Sequence, residues 1–152
     1  MICAVDSMIV IWGFRSPQDS PDKAQRVQAL FAMLADEDHE LMVSAVSVSE
    51  VLIPIPKREH GAFLAILSKS VHVAAFDVRA ASLAAELYQQ NKGLAAEGKI
   101  ARKILKADTL IIASIFTSGA KRFYSHDAQC RAIASSIMDA YDLPTHDEQM
   151  FR

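Results

Sequence analysis

Four carboxylates, Asp6, Glu50, Asp108 and Asp127, stand where an apolar strand gives way to a turn or where a helix opens. They sit in the strings Ala4-Val5-Asp6-Ser7, Ser47-Val48-Ser49-Glu50, Lys106-Ala107-Asp108-Thr109-Leu110-Ile111-Ile112-Ala113-Ser114 and Phe123-Tyr124-Ser125-His126-Asp127. Mg2+ and Mn2+ are oxygen-seeking ions, held by a few carboxylates while water and substrate phosphate fill the remaining positions. At a phosphodiester such an ion activates water and neutralises the charge developing on phosphate, and a second ion would clamp the leaving oxygen. The placement of the acids points to this chemistry, with one ion or two.

Each acid also has a structural explanation of its own. Ser47-x-x-Glu50 reads as a capping box, the Glu side chain reaching back to the Ser amide, and for Glu50 alone this is at least as good a reading as a ligand. Asp108 lies near a possible helix start, where a carboxylate faces the helix dipole favourably, and Asp127 reads as the cap of the last helix. Asp6 is harder to explain structurally. An ionised carboxylate directly after a central apolar strand needs a partner or a cation.

The elements that must position these residues alternate between strands and helices. Met1 to Val5 is a continuous apolar run, as in a strand covered on both faces of a parallel sheet. After the apolar stretch Met8 to Trp12, Ser16-Pro17-Gln18-Asp19-Ser20-Pro21 breaks regular structure, and Ser20 with Pro21 then opens a helix to about Ala35. Strands are expected at Leu41-Met42-Val43, Val71 to Ala75, Arg122-Phe123-Tyr124 and near Ile137-Met138. Helices are expected from Ser47 to before Pro54 and Pro56, over Arg58 to Ser68, from an Asp77 cap to about Gly93, over Lys99 to Thr117, and over Ala128 to Ser135. The alternation predicts an α/β sandwich with a mostly parallel sheet, whose ligands gather at the carboxyl ends of the strands.

The chain of 152 residues, 51% hydrophobic, can bury a substantial core and favours one domain. A net charge of −2 gives no overall attraction to a polyanion, so nucleic-acid binding would need a local basic patch or bridging metal ions. Cys3 and Cys130 show no ligand spacing and read as buried thiols, compatible with a reducing cytosol. Asp6 interrupts the first apolar run, which argues against a signal peptide or membrane span, so a soluble, cytoplasmic protein is expected.

Taken together and in this order, the four acidic strings resemble the PIN-domain ribonucleases, particularly the small VapC-like toxins of toxin–antitoxin pairs. The resemblance spans Asp6 to about Ile133 and includes the Asp108–Ser114 string, similar to the family's Asp-Ala-x-Ile-Ala-Ala segment. It implies a three-layer α/β/α fold with four to five strands, in the order 3-2-1-4-5 that sets Asp6 beside Asp127. It also implies a Mg2+- or Mn2+-dependent endoribonuclease whose metal ligands are Asp6, Glu50, Asp108 and Asp127, leaving 3′-hydroxyl and 5′-phosphate ends. Relatives commonly form homodimers and are silenced by an antitoxin. Gln129 and Cys130 stand where the family often has an acid followed by an aromatic, which weakens the case for a second metal. Ser7 and Ser125 match common hydroxyl positions, where they would orient ligands or bond the turn backbone.

Lys99, Arg102, Lys103 and Lys106 recur at helical spacing before Asp108 and read equally as an RNA-phosphate stripe or a solvated face. Arg15 is a weaker phosphate candidate. His126 is expected to turn away from Asp127 by strand alternation. His39, His60, His72 and His146 show no paired spacing, and Leu83, Leu87 and Tyr88 fall at core spacing. Two alternatives remain: a non-catalytic PIN-like module that binds RNA or protein, and another α/β phosphohydrolase using Asp6 as nucleophile. For the latter, a haloacid-dehalogenase-type enzyme would want an acid where Met8 stands.

Overall fold

The strand that carries Asp6 lies at the centre of the sheet. In the computed structural model, which describes residues 1–15 and 17–145, β1 (Ile2–Val5) pairs in parallel with β2 (Glu40–Ser44) on one side and β4 (Arg122–Tyr124) on the other. The edges are β3 (Val71–Ala74) and β5 (Asp139–Tyr141), giving the order β3-β2-β1-β4-β5 with every neighbouring pair parallel. Val5 stands opposite both Val43 and Tyr124, so β1 and β4 end level and β2 runs one residue further. This is the topology the family resemblance implied. Ser16 and His146 lie outside the described residues.

Strand alternation divides the core in two. Ala4, Met42 and Phe123 face one layer of helices: α5 (Val78–Ala96), α6 (Arg102–Thr117) and α7 (Ala128–Ala134). Cys3, Val5, Val43 and Tyr124 face the other: α1 (Ser7–Val10), α2 (Pro21–Asp36), α3 (Ala45–Leu52) and α4 (Lys57–Ser68). The result is a three-layer α/β/α arrangement, with both cysteines buried as free thiols. Phe123 is fully buried, and such a side chain contributes on the order of 2–3 kcal/mol. α1 passes directly into a π turn, Ile11–Arg15, where Gly13 lies tight against α2.

Several sequence-based boundaries move. α3 starts at Ala45 with Ser44 as its cap, the Ser44 Oγ accepting from the Val46 amide at 3.1 Å, so no capping box forms between Ser47 and Glu50. α6 starts at Arg102, which leaves Lys99 outside the helix and paired with Glu97 at 2.8 Å, and sets Asp108 well inside the helix. α5 runs through Gly93 to Ala96 and ends at Gly98, whose φ of +72° suits glycine. β5 begins at Asp139, after Ile137 and Met138. Asp77 caps α5 as expected, accepting from the Ala80 amide at 3.0 Å.

Candidate active site

Asp6 and Asp127 are fixed by the ends of elements, and Glu50 by a hydroxyl beside them. The Asp6 amide continues the sheet by donating to the Tyr124 carbonyl at 3.0 Å, and the residue then caps α1, its Oδ1 accepting from the Ser7 amide at 2.7 Å. Its Oδ2 accepts from the Ser125 hydroxyl at 2.8 Å. Asp127 caps α7, its Oδ1 accepting from the Gln129 and Cys130 amides at 2.9 and 3.1 Å. Glu50, on α3, is drawn towards Asp6 by the Ser7 hydroxyl, which donates to Glu50 Oε2 at 2.7 Å. Ser125 joins the two strand ends, since its Oγ also accepts from the Asp127 amide at 3.1 Å.

Asp108 differs from the other three. Its Oδ2 is buried and has no hydrogen-bond partner among the described residues, an expensive state for a carboxylate oxygen. Its pKa is raised to about 7, first by burial and then by the negative charges of Asp6, Asp127 and Glu50, while the Cys130 thiol opposes the shift. Burial likewise pushes Asp6 above the ordinary carboxylate range, opposed by its bonds from Ser125 and Ser7 and reinforced by Glu50 and Asp127. The fold thus brings all four acids into one another's fields.

Among the described residues, no group of three or more His, Cys, Asp or Glu side chains is arranged so that it could hold a metal ion as it stands. Both Asp6 oxygens are occupied by donors, whereas Glu50 and Asp127 each keep one oxygen free of hydrogen bonds. The donor set is made entirely of hard oxygens, and the orphaned Asp108 Oδ2 is the kind of atom a cation satisfies. The residues therefore fit Mg2+ or Mn2+ in chemistry, and ligation requires the side chains to close together.

Ser44, Ser114 and Arg131, which sequence reasoning did not single out, support this centre. The Ser44 and Ser114 hydroxyls meet at 2.6 Å in the core, tying the start of α3 to the helix that carries Asp108. Arg131 donates to the Ser125 carbonyl at 2.8 Å and also lies 3.5 Å from Asp142. His126 turns away to Asp142 at 2.7 Å and packs edge-on against Trp12. Only Ser114 had a visible signal, as the last residue of the Asp108 string.

The fold and its acidic edge define a class before they define a relative. Residues 3–136 match the PIN domain, and the chain belongs to that family. Solved structures share its fold, among them two that hold VapBC complexes. The structure of VapBC2 from Rickettsia felis bound to a DNA fragment from their promoter contains a chain matching with a TM-score of 0.63 at 14% identity, over 95% of this chain and 100% of that one. VapBC-1 from nontypeable Haemophilus influenzae matches with a TM-score of 0.62 at 13% identity, over 93% and 98%. No curated protein matches the chain in sequence.

Proposed function

We propose that this protein is a Mg2+- or Mn2+-dependent endoribonuclease, acting in the cytoplasm as the toxin of a toxin–antitoxin pair. The observation that carries the reading is the buried, unpartnered Asp108 Oδ2 in the field of Asp6, Glu50 and Asp127. Asp6, Glu50, Asp108 and Asp127 would hold the ion. When bound, it supplies Lewis-acid activation of water and charge neutralisation at the scissile phosphate. Ser7 and Ser125 orient Glu50 and Asp6, leaving Asp108 as the acid with the greatest need of a cation.

The VapBC neighbours support an antitoxin partner, and the homodimer follows the same family expectation. Arg102, Lys103 and Lys106 on α6 are proposed to meet RNA, with Lys99 a lesser contributor because Glu97 already neutralises it. Among the described residues no helix is long and apolar enough to cross a membrane. One observation favours a second reading, a non-catalytic PIN-like binding module: among the described residues no ligand trio stands ready. The test is cleavage of single-stranded RNA with Mg2+ or Mn2+ against EDTA. The expected result is metal-dependent cleavage leaving 5′-phosphate ends, together with a rise in melting temperature on adding metal. Undiminished cleavage in EDTA would remove the metal mechanism, and metal binding without cleavage would favour the binding module.

A further inference from the structure

A groove between α5 and α6 is left without a role by the acidic centre. One stretch, a cavity of about 510 Å³, is lined by Phe76, Tyr88, Gln89, Arg102, Lys106 and Thr109, among others. The next, of about 600 Å³, shares Tyr88, Gln89 and Arg102 with the first and continues past Lys92. The two adjoin at Tyr88, which lines both. The groove's first stretch runs along α6, the helix that also carries Asp108, and meets Phe76 just after the carboxyl end of β3.

Its chemistry is a mostly apolar lining with aromatic rings, bordered by cations. Arg102, Lys106 and Lys92 have no ion pair or hydrogen bond among the described residues, whereas Lys99 and Arg79 nearby in sequence are each paired with an acid. A polyanion with flat apolar faces complements such a surface. Aromatic side chains that stack bases, flanked by basic residues that follow the backbone, are the common means of holding single-stranded nucleic acid. Each of the two stretches is large enough for a nucleoside-sized ligand.

We propose that the α5–α6 groove is a single-stranded RNA track, in which a base stacks on Tyr88 while Arg102, Lys106 and Lys92 contact the flanking phosphates. It rests on the nuclease reading and adds the substrate's path. The groove would hold the unpaired strand along the helix that carries Asp108, and a duplex, whose bases are already stacked, would not enter it.

The test is fluorescence anisotropy of the full-length protein with a short labelled single-stranded RNA of mixed sequence, in EDTA so that binding is separated from cleavage. Tyr88→Ala should weaken binding ~10-fold while Tyr88→Phe, which keeps the ring, binds as wild type. Arg102→Gln with Lys106→Gln should lower the steepness of the log–log salt dependence by ~1.4, the value for two phosphate contacts to a single strand. Ala85→Glu, at an exposed groove position, should weaken binding without touching the core. Wild-type affinity in Tyr88→Ala, in Ala85→Glu and in the double variant overturns the proposal. So does a change in oligomeric state or antitoxin binding with RNA affinity intact, which would assign the groove to a protein partner. Wild-type protein that cleaves with metal yet binds no RNA in EDTA overturns the groove alone, and loss of both activities removes the nuclease reading as well.

Discussion

Replacing Asp108 by Asn should make the metal-free protein more stable above neutrality and leave it unchanged in acid. The carboxyl is raised from 3.8 to about 7, so the folded state binds its proton more tightly than the unfolded chain does. That contribution to stability is fully present below the unfolded value of 3.8 and is lost as pH rises through about 7. A shift of this size corresponds to ~4 kcal/mol at most. Because Asp108 is only half-buried, solvent screening reduces the expected effect to about 2 kcal/mol. The assay is urea unfolding in EDTA at pH 4 and pH 8, followed by the fluorescence of Trp12, the single tryptophan. The two proteins should agree within about 1 kcal/mol at pH 4. At pH 8 the variant should lead, and saturating Mg2+ at ~100 times its dissociation constant should close the gap by returning ~2.7 kcal/mol to the wild type alone. Equal differences at both pH values, or a variant less stable at pH 8, would refute the claim that Asp108 is held against its own charge.

Glu50→Ala should leave stability within about 1 kcal/mol, since the residue is exposed and caps nothing, while lowering metal-dependent cleavage by ~100-fold or more. Ser44→Ala should instead cost ~1 kcal/mol or more for the lost cap and the lost bond to Ser114, whose hydroxyl keeps the Ile111 carbonyl, seen as a lower urea midpoint. At Gly13 a Cβ would stand 2.9 Å from both Phe31 Cε2 and Val27 Cγ1, so Gly13→Ala should destabilise by ~1–3 kcal/mol, read by thermal melting.

The residues most legible in the sequence were those whose position follows from the sheet itself. An apolar run that stops at an acid marks the carboxyl end of a buried parallel strand, and this located Asp6 and, through Phe123-Tyr124-Ser125, Asp127. The boundary of α3 was misread because Ser44 ends β2 and caps α3 at once, with no loop between them. Ser47 offered the same chemistry one turn later, beside a Glu at the matching distance. Gly93 looked like a helix end, but nothing crowds it and a mid-helix glycine costs only ~1 kcal/mol. The actual stop is Gly98, after which the Lys99 and Ile100 amides bond back to the Leu94 carbonyl at 2.9 and 3.4 Å. That turn removes Lys99 from the helical stripe. The Ser44–Ser114 contact is long-range, and no local pattern announces it.

Asp6 and Asp127 each close a strand and cap the helix that follows it. Asparagine caps a helix as well as aspartate does, so an exchange at either position removes a charge from the proposed metal site while the helix keeps its cap. If the proposed nuclease reading holds, descendants of this chain have a short route to folded, non-cleaving forms: selection could retire the chemistry and keep the domain's shape.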